Sequence, residues 1–394
     1  MKGFKYFTPT EVVFGKGTEL KAGEMLKKYG ATKVLVHYGS ERIVENGLLG
    51  KILKTLDDNG IEHTELGGVV PNPRLSKVRE GIALAKEFGA DFLFGIGGGS
   101  VLDSLKAIGY GLANDGDVWD FYEHTRKPQA SMPMGHVLTM SATGSVMSDS
   151  SVITNEDGWK KRGVNSDLCR PKFAIMDPEL TMTVNPYQTA CGATDIMMHT
   201  MERYFNRLGS MEITDAIAEG LLKTVMRNAK KALEDPSDYN ARAELMWCEA
   251  LSHNGLTGCG TDGGDWACHK MEHELGGLYD VAHGAGLAAI WGSWARFVLS
   301  HDIGRFAQYA VRVMGCPMNF DHPEETALAG IKAMERFYRS LNMPTSLREL
   351  GLTNVTDAQI AEMADKCTDY GKNRIGNFVP LSRDDIVTIL KAAR

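Results

Sequence analysis

No stretch of the 394 residues approaches the ~20 consecutive apolar side chains that a membrane-spanning helix needs, so a helical membrane anchor is excluded. A surplus of positive charge is also missing. Forty-three Lys and Arg stand against 50 Asp and Glu, for a net charge of -7, which argues against nucleic acid or an anionic membrane as the main partner. The seven cysteines, Cys169, Cys191, Cys248, Cys259, Cys268, Cys316 and Cys367, form no Cys-x-x-Cys pair. Their odd number and irregular spacing suit reduced thiols rather than a disulfide framework. There is no internal repeat and no low-complexity tract. Met1-Lys2-Gly3-Phe4-Lys5-Tyr6 lacks the apolar centre of a signal peptide, and the expected location is the cytoplasm.

Length and pattern then set the architecture. A chain of this length exceeds what one hydrophobic core ordinarily fills, so two domains are expected. The first half alternates strand and helix: strands near Glu11 to Gly15, Lys33 to His37, His63 to Leu66 and Asp91 to Ile96, with helices at about 41–59 and 75–88. That succession is characteristic of parallel βαβ units. A strand at 136–138, a hairpin across 151–164 and a strand at 172–176 follow, and Asp177-Pro178 ends the region. From about Tyr187 helical periodicity takes over, at 187–207, 211–234, 238–257, 265–276, 283–299, 303–314, 324–341 and 384–393. The expected fold is an α/β dinucleotide-binding domain at 1–183 with a mostly parallel sheet, then an all-helical domain at 184–394. The active site is expected in the cleft between them.

The strand at 91–96 runs directly into Gly97-Gly98-Gly99-Ser100. Glycines let a phosphate approach the backbone N–H groups, and a helix opening near Ser100 points its positive end at the same place. A tight turn capped by Ser100 would need fewer glycines, so these four residues are read as a diphosphate cradle. The ordinary Rossmann fingerprint is absent, since Gly15-Lys16-Gly17 lacks its third glycine. A second polar turn, Thr139 to Ser145, offers hydroxyls and close backbone approach.

Three of the eleven histidines fall between Asp265 and Gly284. His269 and His273 are four apart and share one helix face, Gly276 and Gly277 are expected to stop that helix, and His283 returns from the loop beyond. Upstream, Asp195 and His199 have the same i, i+4 spacing. A single such pair ordinarily packs and hydrogen-bonds within a helix. Two pairs plus His283 point instead to a first-row transition metal, because imidazole suits zinc and iron where all-oxygen sites suit magnesium or calcium.

Taken together, Gly97-Gly98-Gly99-Ser100-x-x-Asp103-x-x-Lys106, Asp195-x-x-x-His199 and the stretch from His269 to His283 resemble the iron-containing, or group III, alcohol dehydrogenase family, and within it the butanol dehydrogenase branch. The resemblance spans nearly the whole chain, including Pro71-Asn72-Pro73, Ala142-Thr143-Gly144-Ser145 and Asp177-Pro178. It implies a metal held by Asp195, His199, His269 and His283, with iron favoured over zinc. It implies a nicotinamide cofactor whose diphosphate lies on Gly97 to Ser100, with Asp103, Thr139 and Ser141 at the nicotinamide end. It also assigns His269, not His273, to the metal, which leaves His273 as an uncoordinated imidazole able to exchange protons; His273 and Asp103 are the expected catalytic residues. One departure stands out: Val146 occupies a position where the family usually has Glu.

The expected reaction is NAD(P)H-linked reduction of short- to medium-chain aldehydes such as butanal, and the reverse oxidation of primary alcohols. A polyol or lactaldehyde-type dehydrogenase is the alternative, as is a metal- and NAD-dependent cyclase or lyase on the same architecture. The latter would handle polyanions, whereas Met197, Met198, Trp266 and Leu278 suit a small apolar aldehyde. After the strand at 33–37, Gly39 and Ser40 leave room for a 2′-phosphate, so NADP(H) is expected over NAD(H), although Glu41 could serve as a ribose carboxylate. A homodimer is expected through the strand near Glu11 to Phe14, which lies where a free sheet edge would be available.

Overall fold

The computed structural model describes residues 1–394 apart from Ser40, Gly209 and Ser210, and divides into two compact units. The α/β unit comprises Phe7–Val184 with Ser237–Asn254; the helical unit comprises Met1–Tyr6, Asn185–Pro236 and Gly255–Arg394. The units therefore interleave along the chain. The α/β unit's main segment ends beside the 183/184 boundary, but the helix Tyr239–His253 packs with that unit.

In the α/β unit, strands β1 (Glu11–Phe14), β2 (Lys33–Tyr38), β3 (Glu62–Leu66), β4 (Phe92–Gly97), β5 (Met134–Leu138) and β8 (Phe173–Met176) form one parallel sheet in the order β1-β8-β5-β4-β2-β3. Between β5 and β8 in the chain, β6 (Ser150–Asn155) and β7 (Lys160–Asn165) pair as an antiparallel hairpin. Every residue of β4, β5 and β8 is buried, as expected for parallel strands covered on both faces, while β1 and β3 at the edges are partly exposed. Alternate residues feed two cores. Val34, Val36, Phe92, Phe94 and Ile96 pack with the helices Ala22–Lys28 and Leu48–Asp58; Leu35 and Leu93 pack with the helices Leu75–Phe88 and Gly99–Ala113. The helices that follow β2 and β4 thus lie on opposite faces, which makes the carboxyl ends of these two neighbouring strands a topological switch point, where such sheets bind ligands.

In the helical unit the described residues form no strand, only an isolated bridge between Ile375 and Leu381. Two expectations need correction. Gly276 and Gly277 do not stop their helix, which runs Ala267–Tyr279 and ends at Asp280 with φ 51°. Both glycines are buried, so close packing holds the helix past them. The helix expected at 41–59 is broken by Gly47 at φ 77° into Arg42–Glu45 and Leu48–Asp58. No described helix is long and apolar enough to cross a membrane.

One buried polar row crosses the sheet beneath the helix Gly99–Ala113, where His37 of β2, Gly95 of β4 and His136 of β5 are in register. A side chain on Gly95 would meet His136 Nδ1 at 2.9 Å. His37 Nδ1 lies 2.9 Å from Leu66 O and Nε2 lies 2.9 Å from Ser104 Oγ, so a neutral ring that donates to the carbonyl and accepts from the hydroxyl satisfies both. Burial pushes His37 down to about 4, against the smaller upward pull of the Leu66 carbonyl. The unfolded chain protonates this ring near pH 6.5 and the folded chain does not, so this ring lowers stability as pH drops from about 6.5 to about 4 and has no such effect above. Between pH 7 and pH 5 the wild type should lose about 2 kcal/mol more than His37→Gln. Denaturant unfolding at the two pH values measures the difference; parallel losses in both proteins would refute it.

Candidate metal and cofactor site

The metal-ligand candidates come from three helix segments of the helical unit. Asp195 and His199 sit within Pro186–Tyr204, which Pro186 opens in the first turn and the Asn185 side chain caps by accepting from Gln188 N at 2.8 Å. His269 lies in the first turn of Ala267–Tyr279, and His283 is the first residue of His283–Val298. Asp280, with φ 51°, ends the first of these last two helices, three residues before the second begins.

These segments converge on one oxygen. Asp195 Oδ1 lies 3.5 Å from His199 Nδ1, 3.6 Å from His269 Nε2 and 3.7 Å from His283 Nε2. A tetrahedral ion with bonds of ~2.1 Å places its ligand atoms about 3.4 Å apart, so the spacing fits a shared cation. The candidate ligand atoms of Asp195, His199 and His269 lie within 4.8 Å of one another, and all three residues are buried. Asp195 Oδ1 and His269 Nε2 have no hydrogen-bond partner among the described residues. Buried polar atoms left this way are expensive, and a cation between them would satisfy both. The donor set of one carboxylate and three imidazoles, without thiolate, fits ferrous iron or zinc. His273 stands one turn beyond His269, with its ring 6.0 Å from the His283 ring.

Two carboxylates back the histidines, and the sequence reading did not identify them. His269 Nδ1 lies 2.6 Å from Glu202 Oε2, and His283 Nδ1 hydrogen-bonds Glu272 Oε2. Burial alone would push His269 down, but Glu202 and Asp195 outweigh it and hold the ring up to about 9. The available signal was His-x-x-Glu, present both at His199/Glu202 and at His269/Glu272.

Cofactor candidates converge in the α/β unit at the ends of β2, β4 and β5. The helix Gly99–Ala113 begins directly after β4, with Gly98 as its cap. A Cβ on Gly99 would come within 2.2 Å of Thr143 Cγ2, and one on Gly98 within 3.3 Å of Met140 Cβ, so the loop packs closely against the second polar turn. Thr139 N donates to Gly97 O at 3.1 Å, and Gly39 approaches the first turn of the helix, its Cβ position 3.4 Å from Val101 Cγ2. Ser100 lies in the helix's first turn, and Ser141 Oγ is buried with no hydrogen-bond partner among the described residues. The glycine cradle, the helix N-terminus and the Ser141 hydroxyl together fit a diphosphate-bearing cofactor. Ser40, the other expected contact, lies outside the described residues. The Asp103 carboxylate accepts from Ser145 Oγ at 2.7 Å and Val152 N at 3.1 Å, and its carbonyl accepts from Ser151 Oγ at 2.8 Å, fastening the turn to the helix.

Comparison with known proteins covers the full chain. A family model for iron-containing alcohol dehydrogenase matches residues 9–178, and the C-terminal model of the Fe-containing alcohol dehydrogenase family matches 189–394. NADH-dependent butanol dehydrogenase A of Clostridium acetobutylicum is 40% identical over 392 residues, covering 99% of each chain. The NADPH-dependent aldehyde reductase YqhD of Escherichia coli is 32% identical over 397 residues, covering 100% of each. Among solved structures, NADH-dependent butanol dehydrogenase A of Thermotoga maritima superposes with a TM-score of 0.95 at 38% identity, covering 100% of this chain and 99% of that one.

Gly284, next to His283, tests the packing. A Cβ there would lie 2.1 Å from the Cys191 carbonyl, on the helix that carries Asp195 and His199. Gly284→Ala should therefore destabilise by roughly 1–3 kcal/mol and weaken divalent-metal binding. Gly220→Ala, in the helix Glu212–Glu234 with nothing within 4 Å, should do neither. Thermal melts with and without added metal read both effects, and unchanged metal stabilisation in Gly284→Ala would contradict the expectation.

Proposed function

We propose, for a chain that belongs to the iron-containing alcohol dehydrogenase family, that Asp195, His199, His269 and His283 hold one divalent ion, iron in preference to zinc. The protein is an alcohol dehydrogenase and aldehyde reductase. The observation that carries the metal assignment is the Asp195 oxygen ringed by three imidazole nitrogens at 3.5, 3.6 and 3.7 Å. When bound, the ion supplies polarisation of the substrate oxygen and the nicotinamide supplies the hydride.

The remaining roles belong to side chains and backbone of this chain. Gly97, Gly98, Gly99 and Ser100 receive the cofactor diphosphate at the helix N-terminus, with Thr139, Ser141 and Asp103 toward the nicotinamide. His273 exchanges the alcohol proton through an imidazole nitrogen, since imidazole is the side chain that titrates near neutrality. Met197 and Met198, both fully buried on the ligand-bearing helix, and the half-buried Trp266 and Leu278 favour a short apolar aldehyde.

For the cofactor, the absence of a side chain at Gly39 at the end of β2 supports room for a 2′-phosphate, and hence NADPH. The relatives at 37–40% identity are named as NADH-dependent, and Glu41 is the group through which this chain would follow them. Anaerobic protein loaded with ferrous iron should oxidise NADPH when butanal is added, with kcat/KM higher for NADPH than for NADH. A ratio favouring NADH would give Glu41 the ribose. His269→Ala should lose both metal and activity, whereas His273→Ala should keep stoichiometric metal and change kcat or its pH dependence. Metal loss in both variants would overturn the separation of roles.

The assembly proposed is a homodimer. Strand β1 is an edge of the sheet, hydrogen-bonded only to β8 among the described strands, and it offers its other side to a second copy. Light scattering at micromolar concentration should give twice the chain mass of 43.2 kDa, and the monomer mass would refute the dimer.

A further inference from the structure

We infer that Glu202 and Glu272 are positioning residues that set the affinity and electronic character of the metal centre by holding His269 and His283 in one tautomer. Both histidines present Nε2 toward Asp195 Oδ1, at 3.6 and 3.7 Å, and both turn Nδ1 onto a carboxylate. The two glutamates are 1% and 0% exposed. A carboxylate can only accept from the ring, so each fixes the proton on Nδ1 and leaves the Nε2 lone pair directed at the ligand position.

The arrangement crosses between elements. Glu202 extends from the helix that carries Asp195 and His199, yet it grips the His269 ring on the next ligand helix. Its Oε1 accepts from Cys268 N at 2.7 Å and His269 N at 3.3 Å, so one side chain fixes both the backbone start of that helix and the orientation of its ligand. Glu272 lies one turn beyond His269 and reaches forward to His283 at the head of the following helix. A Cβ on Gly286 would lie 2.9 Å from Glu272 Cγ, so that helix lacks a side chain where the glutamate passes. Each carboxylate therefore orients a histidine on a helix other than its own. A divalent ion with the Asp195 carboxylate alone carries a formal +1, and the two glutamates bring the cluster to -1. Partly neutralised in this way, the ion binds more tightly and is a weaker Lewis acid.

The inference rests on the metal reading above, and the test separates the two. Cobalt(II) serves as the probe, because its absorption bands report ligand geometry while titration against a competing chelator gives Kd. The proteins compared are wild type, Glu202→Gln, Glu272→Gln and the exposed-residue control Glu234→Gln. Kd should rise roughly 10- to 100-fold in each of the first two variants, with shifted cobalt bands, and stay at the wild-type value in the control. The metal-free melting temperatures should differ much less than the affinities. A lowered metal-free melting temperature with unchanged Kd and spectrum would assign both carboxylates to folding and overturn the inference. If Glu202→Gln fails to fold, Glu272→Gln, which leaves the contacts to Cys268 N and His269 N intact, carries the same test. If the wild type itself takes up no cobalt, the metal reading fails and the inference with it.

Discussion

The helical unit is organised around a single anionic oxygen that is kept out of water. Asp195 Oδ1 sits on a helix whose residues from Thr189 to Tyr204 are all buried, and it accepts no hydrogen bond from the described residues. Desolvating a carboxylate to this degree is tolerated only where positive charge comes close. The supporting structure holds the surrounding helices in place. Gly284 allows the helix bearing His283 to rest directly on the Cys191 carbonyl, and Arg305 donates to Tyr204 O and pairs with Asp215 at 2.6 and 2.7 Å, fixing the far end of the ligand helix. Burial lowers the pKa of His269, but Glu202 and Asp195 outweigh it and hold the ring above its ordinary value, which shows how strongly these carboxylates favour positive charge here.

The α/β unit meets the complementary requirement, a place for negative charge at the head of the helix Gly99–Ala113. Three glycines admit a phosphate only if the neighbouring turn keeps its position, and successive turns of that helix secure it. Asp103 holds Ser145 and the start of β6, and Lys106, fully buried with its ammonium pushed down by that burial, donates to Ser148 O, Ser148 Oγ and Ser150 O at 3.1, 3.1 and 2.8 Å. The motif Gly-Gly-Gly-Ser-x-x-Asp-x-x-Lys thus joins two jobs. Its first four residues form the tight loop and helix start proposed as the cradle, and its Asp103 and Lys106 fasten the loop beside it.

Periodicity revealed the parallel sheet, the helical second half and the i, i+4 pairs Asp195/His199 and His269/His273, because each depends on spacing within one element; the choice of His269 over His273 as the fourth convergent group beside His283 came from the family resemblance. What escaped was set by contacts between elements. Glu202 and Glu272 lie three residues after a histidine, which reads as an ordinary helix surface, whereas their partners are on other helices. The end of the helix at Tyr279 was misread because glycine stops a helix only where nothing packs against it, and Gly276 and Gly277 are buried. The helix Asp357–Cys367 was overlooked even though Thr356 and Gln359 form a capping box at its start. Chain order likewise gave no reason to assign Tyr239–His253 to the α/β unit.

That reassigned helix explains the residue that departs from the family pattern. Val146 is fully buried in a cluster with Val101 and Leu102 of the cradle helix and Met246 and Ala250 of Tyr239–His253. A glutamate there would place a carboxylate among apolar side chains, so valine suits the surroundings. The polar turn is not left without a carboxylate, because Glu249, fully buried on that same helix, accepts from Gly144 N at 2.9 Å. Gly144 itself has φ 67°, and a Cβ there would strike His253 Cβ at 2.4 Å and the Glu249 carbonyl at 2.8 Å. The turn beside the cofactor cradle is therefore held from two sides, by Asp103 on the cradle helix and by Glu249 on a helix about a hundred residues later in the chain. Val146 packs in the apolar cluster shared by the helix Gly99–Ala113 and the helix Tyr239–His253, so it adds an apolar contact to these two polar attachments.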